Sequence, residues 1–215
     1  MREKKAVAAK TPKRIAETEE PSARERLLAT AGDLFYRQGI RSVGIDEIIA
    51  KADVAKMSLY RSFASKDELI AAYLRERDEA YWRWWDDTIA LHPGAPRAQI
   101  QSLFQSLAKR ISRPGWRGCP FTNAATEFPE PAHPGRMVAE ANKRELRRRL
   151  RELARAAGAR DPNALGDQLV LLFEGVYSSA QTFGATGPAT QVVAAADALL
   201  MAALGDRPAL ATSKR

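Results

Sequence analysis

The segment Gly44-Ile-Asp-Glu-Ile-Ile-Ala-Lys-Ala-Asp-Val-Ala-Lys-Met-Ser-Leu-Tyr-Arg-Ser-Phe63 determines how the surrounding chain can fold. Its apolar residues repeat at helical spacing in two short runs, 45–49 and 59–63. Asp53 lies between the runs, and aspartate enters the left-handed turn conformation more readily than most residues do. The spacing therefore predicts a helix-turn-helix, a motif whose second helix enters the major groove of DNA.

The helices on either side of this segment carry clear start signals. Ser22-Ala-Arg-Glu25 and Ser65-Lys-Asp-Glu68 have the capping-box pattern, in which a serine and a later glutamate cap backbone N–H groups. The first box opens a helix that Gly39 should end, and the second opens a long helix. We expect Gly44 to cap the first short helix, with Glu47 reaching back in the same way. The result is a small three-helix core.

In this region the chain resembles the TetR family of bacterial transcriptional regulators. The resemblance runs from residue 22 to about residue 75 without gaps, and it rests on Ala31, Leu34, Phe35, Gly39, Ile45, Ile48, Ala52, Val54, Leu59, Tyr60, Phe63, Lys66 and Leu69. It implies an all-α fold, with an N-terminal three-helix helix-turn-helix DNA-binding domain and a larger C-terminal helical domain for ligand binding and dimerisation. It also implies a homodimeric transcriptional repressor that leaves a near-palindromic operator when a small, largely apolar effector binds.

The DNA-binding face that the resemblance implies has seven residues: Gly44, Lys56, Met57, Ser58, Tyr60, Arg61 and Lys66. Its two lysines and its tyrosine would hold phosphates. Ser58 and Arg61 would lie at or near the bases, where an arginine can pair with guanine. Met57 would place an apolar tip near the bases.

Five positions of this region depart from the family pattern: Val43, Gly44, Asp53, Ala55 and Met57. Gly44 and Ala55 lack the hydroxyl group that is usual there, and Met57 replaces a glycine. Replacing a serine cap by alanine costs about 1 kcal/mol of helix stability. These departures leave a second hypothesis open, a helical small-molecule sensor that has lost sequence-specific DNA binding.

The effector domain should contain a mostly apolar pocket with a few polar groups, as ligand sites usually do. Its signals are a dense aromatic run at 81–85 and the segment 115–128, a Gly-Cys sequence of the kind that family effector domains often carry. The residues expected to line the pocket are Trp82, Trp85, Phe104, Cys119, Phe121, Asn123, Glu127, Tyr177 and Gln181. Core packing of the aromatic run and a surface role for Glu127 are the alternatives.

The C-terminal third predicts three more helices. The first, 134–157, is strongly basic, and we interpret it as a solvated face rather than a second nucleic-acid surface. The last two, 162–183 and 189–204, are apolar and rich in small residues. Two such helices from each of two chains would form a four-helix dimer interface.

Composition narrows the function classes further. The net charge of +8 suggests a polyanionic partner, although the basic helix supplies much of it. Cys119 is the single cysteine, so no intramolecular disulfide can form. Cys119 and the two histidines, His92 and His133, do not form a recognisable set of metal ligands. The sequence also shows no pattern of catalytic residues. We therefore expect no enzyme, no metal, no cofactor and no catalytic residue.

No secretory signal or good membrane span is evident, so we expect a cytoplasmic protein without a membrane partner. The expected organisation is a basic arm at 1–20, the DNA-binding domain at 21–66, the effector and dimerisation domain at 67–207, and a tail at 208–215.

Overall fold

The computed structural model describes residues 20–184 and 186–205, and these ranges are helical throughout, apart from loops. Their α-helices are α1 (Ala23–Gln38), α2 (Ile45–Ala52), α3 (Lys56–Ser62), α4 (Lys66–Ile89), α5 (Pro96–Ile111), α6 (Pro120–Glu127), α7 (Pro134–Ala156), α8 (Pro162–Phe183) and α9 (Val192–Leu204). A 3₁₀ turn, Pro188–Gln191, precedes α9. No strand occurs in the described ranges, in agreement with the all-α prediction. The expected basic arm, except for Glu20, and the tail lie outside them.

Helices α1, α2 and α3 form the predicted three-helix core. Leu27, Ile48, Leu59 and Phe63 are fully buried between them, because each lies on the inward stripe of its helix. At the turn between α2 and α3, Asp53 adopts the left-handed conformation with φ 51° and ψ 57°. The helix-turn-helix prediction is confirmed, including the residue at which the chain reverses.

The capping prediction is right for α1 and wrong for α2. Ser22 and Glu25 form the reciprocal capping box at the start of α1. Gly44 takes the N-cap position of α2, but no side chain caps that end. Glycine has no side-chain acceptor to complete a box, and Glu47 instead accepts hydrogen bonds from Lys51 at 2.8 Å and Gln38 at 3.3 Å.

The C-terminal helices surround a second apolar centre, and α4 joins it to the first. Trp85, Phe104 and Phe173 are almost fully buried there and pack ring against ring. The basic helix α7 packs along α8 and is held by ion pairs. Arg147 and Arg151 both donate hydrogen bonds to the Asp167 carboxylate of α8, with nitrogen–oxygen distances of 2.6–2.8 Å. Much of the positive charge of α7 is therefore matched by carboxylates within the fold.

Helices α8 and α9 share one uncovered face. On α8, Leu171 is 72% exposed, and Gly175 and Ser178 follow it at helical spacing. On α9, Met201 is 56% exposed and lies beside exposed alanines. Helices this apolar normally bury such a stripe. In the described part of the chain, no helix is long and apolar enough to cross a membrane.

Candidate DNA-binding face and effector cavities

The outer face of α3 presents the side chains expected to meet DNA. Met57 is 67% exposed and Tyr60 is 47% exposed. Arg61 is also exposed, and its guanidinium donates a 3.2 Å hydrogen bond to the Ser58 hydroxyl one turn earlier. The ammonium group of Lys56 lies 3.2 Å from Asp46, in a solvent-exposed ion pair that is weak enough to be exchanged for a phosphate.

Lys66 is placed differently from the other expected DNA contacts. Its side chain is half-buried, and its ammonium group donates a 3.0 Å hydrogen bond to the carbonyl oxygen of Ile40. Burial lowers the pKa of Lys66, and the nearby carboxylates of Asp67 and Glu127 oppose that shift. In this conformation the lysine joins the start of α4 to the loop after α1. A phosphate contact would require that hydrogen bond to be released.

Two neighbouring cavities lie in the effector domain next to the three-helix core. The first, of about 570 Å³, lies between the end of α1 and the helices α6 and α8. Its walls include Cys119, Asn123, Glu127, Tyr177 and Gln181. Five of the nine residues expected to form the pocket therefore meet at one cavity.

The second cavity, of about 380 Å³, is lined mostly by aromatic rings: Tyr36, Tyr81, Trp84, Trp116, Phe121 and Tyr177. Three arginines, Arg77, Arg110 and Arg113, contribute its positive charge. Burial raises the pKa of both Tyr81 and Tyr177 well above the ordinary range, so both hydroxyls stay protonated. The cavity thus combines flat apolar walls with cationic groups and neutral hydroxyls.

Three of the residues expected in the pocket lie elsewhere. Trp85 and Phe104 belong to the apolar centre, where both contact Phe173. Trp82 faces α7, where the guanidinium of Arg149 lies 4.2 Å from its ring centroid. None of these three lines either cavity. The tryptophan of the aromatic run that does so is Trp84, which lies three residues after Tyr81 and therefore on the same face of α4.

Cys119 lies between the two cavities and is buried. The ammonium group of Lys143 lies 3.2 Å from its sulfur and 2.6 Å from a carboxylate oxygen of Glu174. Burial disfavours the lysine charge, but attraction to Cys119 and Glu174 outweighs burial and raises the pKa of Lys143. A partly buried cation therefore lies beside Cys119, although Lys143 lines neither of the two cavities, and the sequence pattern alone did not indicate it.

Two sets of hydrogen bonds join the cavity walls to the DNA-binding core. The Tyr36 hydroxyl of α1 donates to the carbonyl oxygen of Gly118 at 3.1 Å and accepts from the backbone N–H of Arg117 at 2.9 Å. The Glu127 carboxylate of α6 accepts from the backbone N–H groups of Ile40 at 3.0 Å and Arg41 at 2.7 Å. Tyr36 lines both cavities, and Glu127 lines the first. A shift of the cavity walls therefore acts on the end of α1 through these hydrogen bonds.

Comparison with known proteins agrees with this architecture. The sequence profile described as "Bacterial regulatory proteins, tetR family" matches residues 27–73. The structure of SCO4454, a TetR-family transcriptional regulator from Streptomyces coelicolor, is 35% identical with a TM-score of 0.81, and the match covers 85% of this chain and 96% of that one. The chain belongs to the TetR family.

Two further TetR-type proteins extend the match. A putative TetR transcriptional regulator from Streptomyces avermitilis is 35% identical, with a TM-score of 0.77 over 85% of this chain and 98% of its own. The HTH-type transcriptional regulator YjdC of Escherichia coli is 24% identical over 155 residues, which are 72% of this chain and 81% of YjdC. This TetR-family chain is accordingly a DNA-binding transcriptional regulator, and the family resemblance seen in residues 22–75 is confirmed.

The sequence missed several cavity residues of this TetR-family protein. Tyr36 follows the buried Phe35 on α1 and carried no signal of its own, because its partners lie more than eighty residues away along the chain. Arg110 lies in the last turn of α5 and Trp116 lies in the loop after it, and both line the second cavity together with Tyr81 and Trp84 of α4. The spacing from Tyr81 to Trp84 was the one available clue.

Proposed function

We propose that this chain is a homodimeric repressor whose operator affinity is controlled by a small molecule bound in the two cavities. The observation that supports the proposal most is the hydrogen bonding from the cavity walls to the end of α1. Tyr36 and Glu127 both line the cavities: Glu127 holds the loop that precedes α2, and Tyr36 holds the loop that precedes α6 against α1. A ligand that alters these contacts changes the position of α2 and α3.

The energetics of this control follow from linkage. A ligand shifts a conformational equilibrium only by its different affinity for the two states. In this structure the hydrogen bonds of Tyr36 and Glu127 between the two domains are made. A ligand that binds better when the Glu127 and Tyr36 contacts are rearranged would favour a conformation with the two recognition helices wrongly spaced for successive major grooves.

The second copy is proposed to pack on the uncovered face of α8 and α9. Exposed leucine and methionine side chains there are interspersed with glycine, serine and alanine, which allow close helix approach. Pairing two copies across this face makes the four-helix interface expected for residues 162–204, and it holds two α3 helices at a fixed distance.

The DNA part of the proposal is tested with fluorescence anisotropy on DNA from the chain's own promoter region and on random DNA. Arg61→Ala should reduce the preference for the specific sequence by about 1–3 kcal/mol, because an arginine that pairs with guanine contributes that much discrimination. Lys56→Ala should weaken binding to both DNAs, and it should lower by about one the slope of the logarithm of affinity against the logarithm of salt concentration. Lys109→Ala, in α5 and far along the chain from α3, is the matched control.

An absence of any salt-sensitive, sequence-preferring complex for the unaltered protein would refute the repressor and favour the rival function, a helical sensor without sequence-specific DNA binding. This rival function is motivated by the departures from the family pattern at Gly44, Ala55 and Met57. Equal effects of Arg61→Ala and Lys56→Ala on both DNAs would contradict the separate roles given to these two side chains.

A further inference from the structure

The second cavity has an unusual charge balance. None of the residues that line it is an aspartate or a glutamate, whereas three are arginines. The guanidinium of Arg110 lies 5.2 Å from the Trp84 ring centroid, and that of Arg77 lies 5.3 Å from the Tyr73 ring centroid. Within the described residues, neither these two arginines nor Arg113 forms an ion pair with a carboxylate, in contrast to the arginines of α7. All three line the cavity without a carboxylate counterion from the described part of the fold, and Arg77 and Arg113 are also exposed to solvent.

The Tyr81 hydroxyl is buried behind the cavity wall. Tyr81 is 4% exposed, and its hydroxyl oxygen is out of reach of solvent. A side-chain hydrogen bond with Tyr81 opposes the rise in the pKa of Tyr177, so the two buried hydroxyls are neighbours. Tyr81 therefore contributes ring surface to the cavity.

The walls constrain the shape of that molecule. Trp84, Trp116 and Phe121 present flat ring surfaces, and Trp116 stacks on Tyr177 with an interplanar angle of 19° and a centroid distance of 6.1 Å. Aromatic walls favour offset or edge contacts with another planar ring. The volume of about 380 Å³ is large enough for a molecule of one or two fused rings.

From these observations, and resting on the proposed function, we infer that the effector of this protein is a flat aromatic carboxylate. Its ring lies between the aromatic walls, and its carboxylate is held by Arg110 together with Arg113 or Arg77. Arginine suits this role because its planar guanidinium forms two parallel hydrogen bonds with one carboxylate.

The test is isothermal titration calorimetry of the full chain with matched acids and amides. The probes are 4-hydroxybenzoate and 6-hydroxy-2-naphthoate, each compared with its primary amide, which keeps the shape and removes the charge. At least one acid should bind about tenfold or more tightly than its amide, because a hydrogen bond to a charged group is stronger than one between neutral groups.

Three variants assign the binding to the cavity. Arg110→Met should remove the preference for acid over amide. Arg113→Met should reduce that preference, and it serves as the test if Arg110→Met folds poorly. Arg97→Met, an exposed arginine at the other end of α5, should leave the preference unchanged.

The possible results separate this inference from the proposed function. Amides that bind as well as the acids, or an unchanged preference in both Arg110→Met and Arg113→Met, would overturn the assignment of an aromatic carboxylate. No binding of either acid would overturn it as well. An acid that binds with the expected arginine dependence to a protein that recognises no DNA would support the inference and refute the repressor. Promoter binding with no response to the acids would do the reverse.

Discussion

Residue 55 lies at the weakest point of the recognition helix. Ala55 occupies the N-cap position of α3 with an extended backbone, φ −70° and ψ 145°, and no side chain caps the helix. A serine there could accept the backbone N–H of Ser58, because a capping side chain bonds the second or third N–H group of the helix.

Ala55→Ser should therefore raise the free energy of unfolding by about 1 kcal/mol. Urea denaturation followed by circular dichroism measures the change. Ala50→Ser is the control, since residue 50 is an exposed interior position of α2 where serine has a lower helix propensity than alanine. A stability gain of the same size in both variants would show that capping is not its cause.

Single positions also show where prediction from sequence stops. Asp53 was assigned to the turn correctly, because its conformational preference is a local property. Which tryptophan of the aromatic run meets a cavity depends instead on the rotation of α4 against helices that lie far away in the sequence. A helix turns about 100° per residue, so Trp84 points away from Trp82 and Trp85, which lie three residues apart on one face with their rings in contact.

Among the elements, α7 shows how a basic helix can be stabilised without a nucleic-acid partner. Glu145 accepts hydrogen bonds from Arg148 at 2.6 Å and Arg149 at 2.7 Å. The hydrogen bond from Arg148, supported by that from Arg149, outweighs partial burial and lowers the pKa of Glu145 from 4.5 to about 2. A carboxylate with a lowered pKa stabilises the folded state above its unfolded pKa, and this stabilisation is lost as the pH falls.

The free energy of unfolding should consequently decrease as the pH falls from about 4.5 toward 2, and Glu145→Gln should make this decrease smaller. Urea titrations at a series of pH values measure the effect. Glu130→Gln is the control, because residue 130 lies in the loop before α7. Parallel pH profiles for Glu145→Gln and the unaltered protein would contradict a role for this ion-pair cluster.

The helices themselves were largely predictable. Capping boxes, glycine stops and apolar periodicity are local signals, and they located α1, α4, α8 and the helix-turn-helix closely. The cavities were not predictable to the same degree. The loop between α5 and α6 brings Trp116 and Gly118 against α1, and such long-range contacts leave no periodic trace in the sequence.

For the whole molecule, the proposed dimer depends on the uncovered face of α8 and α9. Leu171 is at the centre of the exposed stripe on α8. Leu171→Asp should convert the dimer to a monomer, because it places a carboxylate, and in a symmetric interface two of them, in an apolar contact. Sedimentation velocity measures the assembly state.

Arg83→Asp provides the matched control, since residue 83 is an exposed position of α4 away from that face. Circular dichroism should show that both variants keep their helices. A monomeric unaltered protein, or a dimer that survives Leu171→Asp, would place the interface elsewhere.

Communication between the domains should depend on Glu127. Glu127→Gln removes the charge and one of the two acceptor oxygens that receive the N–H groups of Ile40 and Arg41. We expect the amide hydrogens of residues 40 and 41 to exchange with solvent about tenfold faster, a change of about 1.4 kcal/mol. Hydrogen-exchange NMR measures the rates, and Glu130→Gln is the control. Unchanged exchange at both amides would show that the carboxylate does not hold the loop.

The bonds made by Glu127 have a consequence for exchanging parts between related regulators. A carboxylate that accepts backbone N–H groups places almost no demand on the side chains at residues 40 and 41, because every amino acid except proline supplies that donor. The Tyr36 hydroxyl likewise meets backbone groups of residues 117 and 118. On one side of each of these hydrogen bonds between the domains, the partner is therefore a main-chain atom. In a chimera that joins the DNA-binding domain of another family member to the effector domain of this protein, the two domains should still be coupled. The requirements are a tyrosine at position 36 and no proline at position 40 or 41.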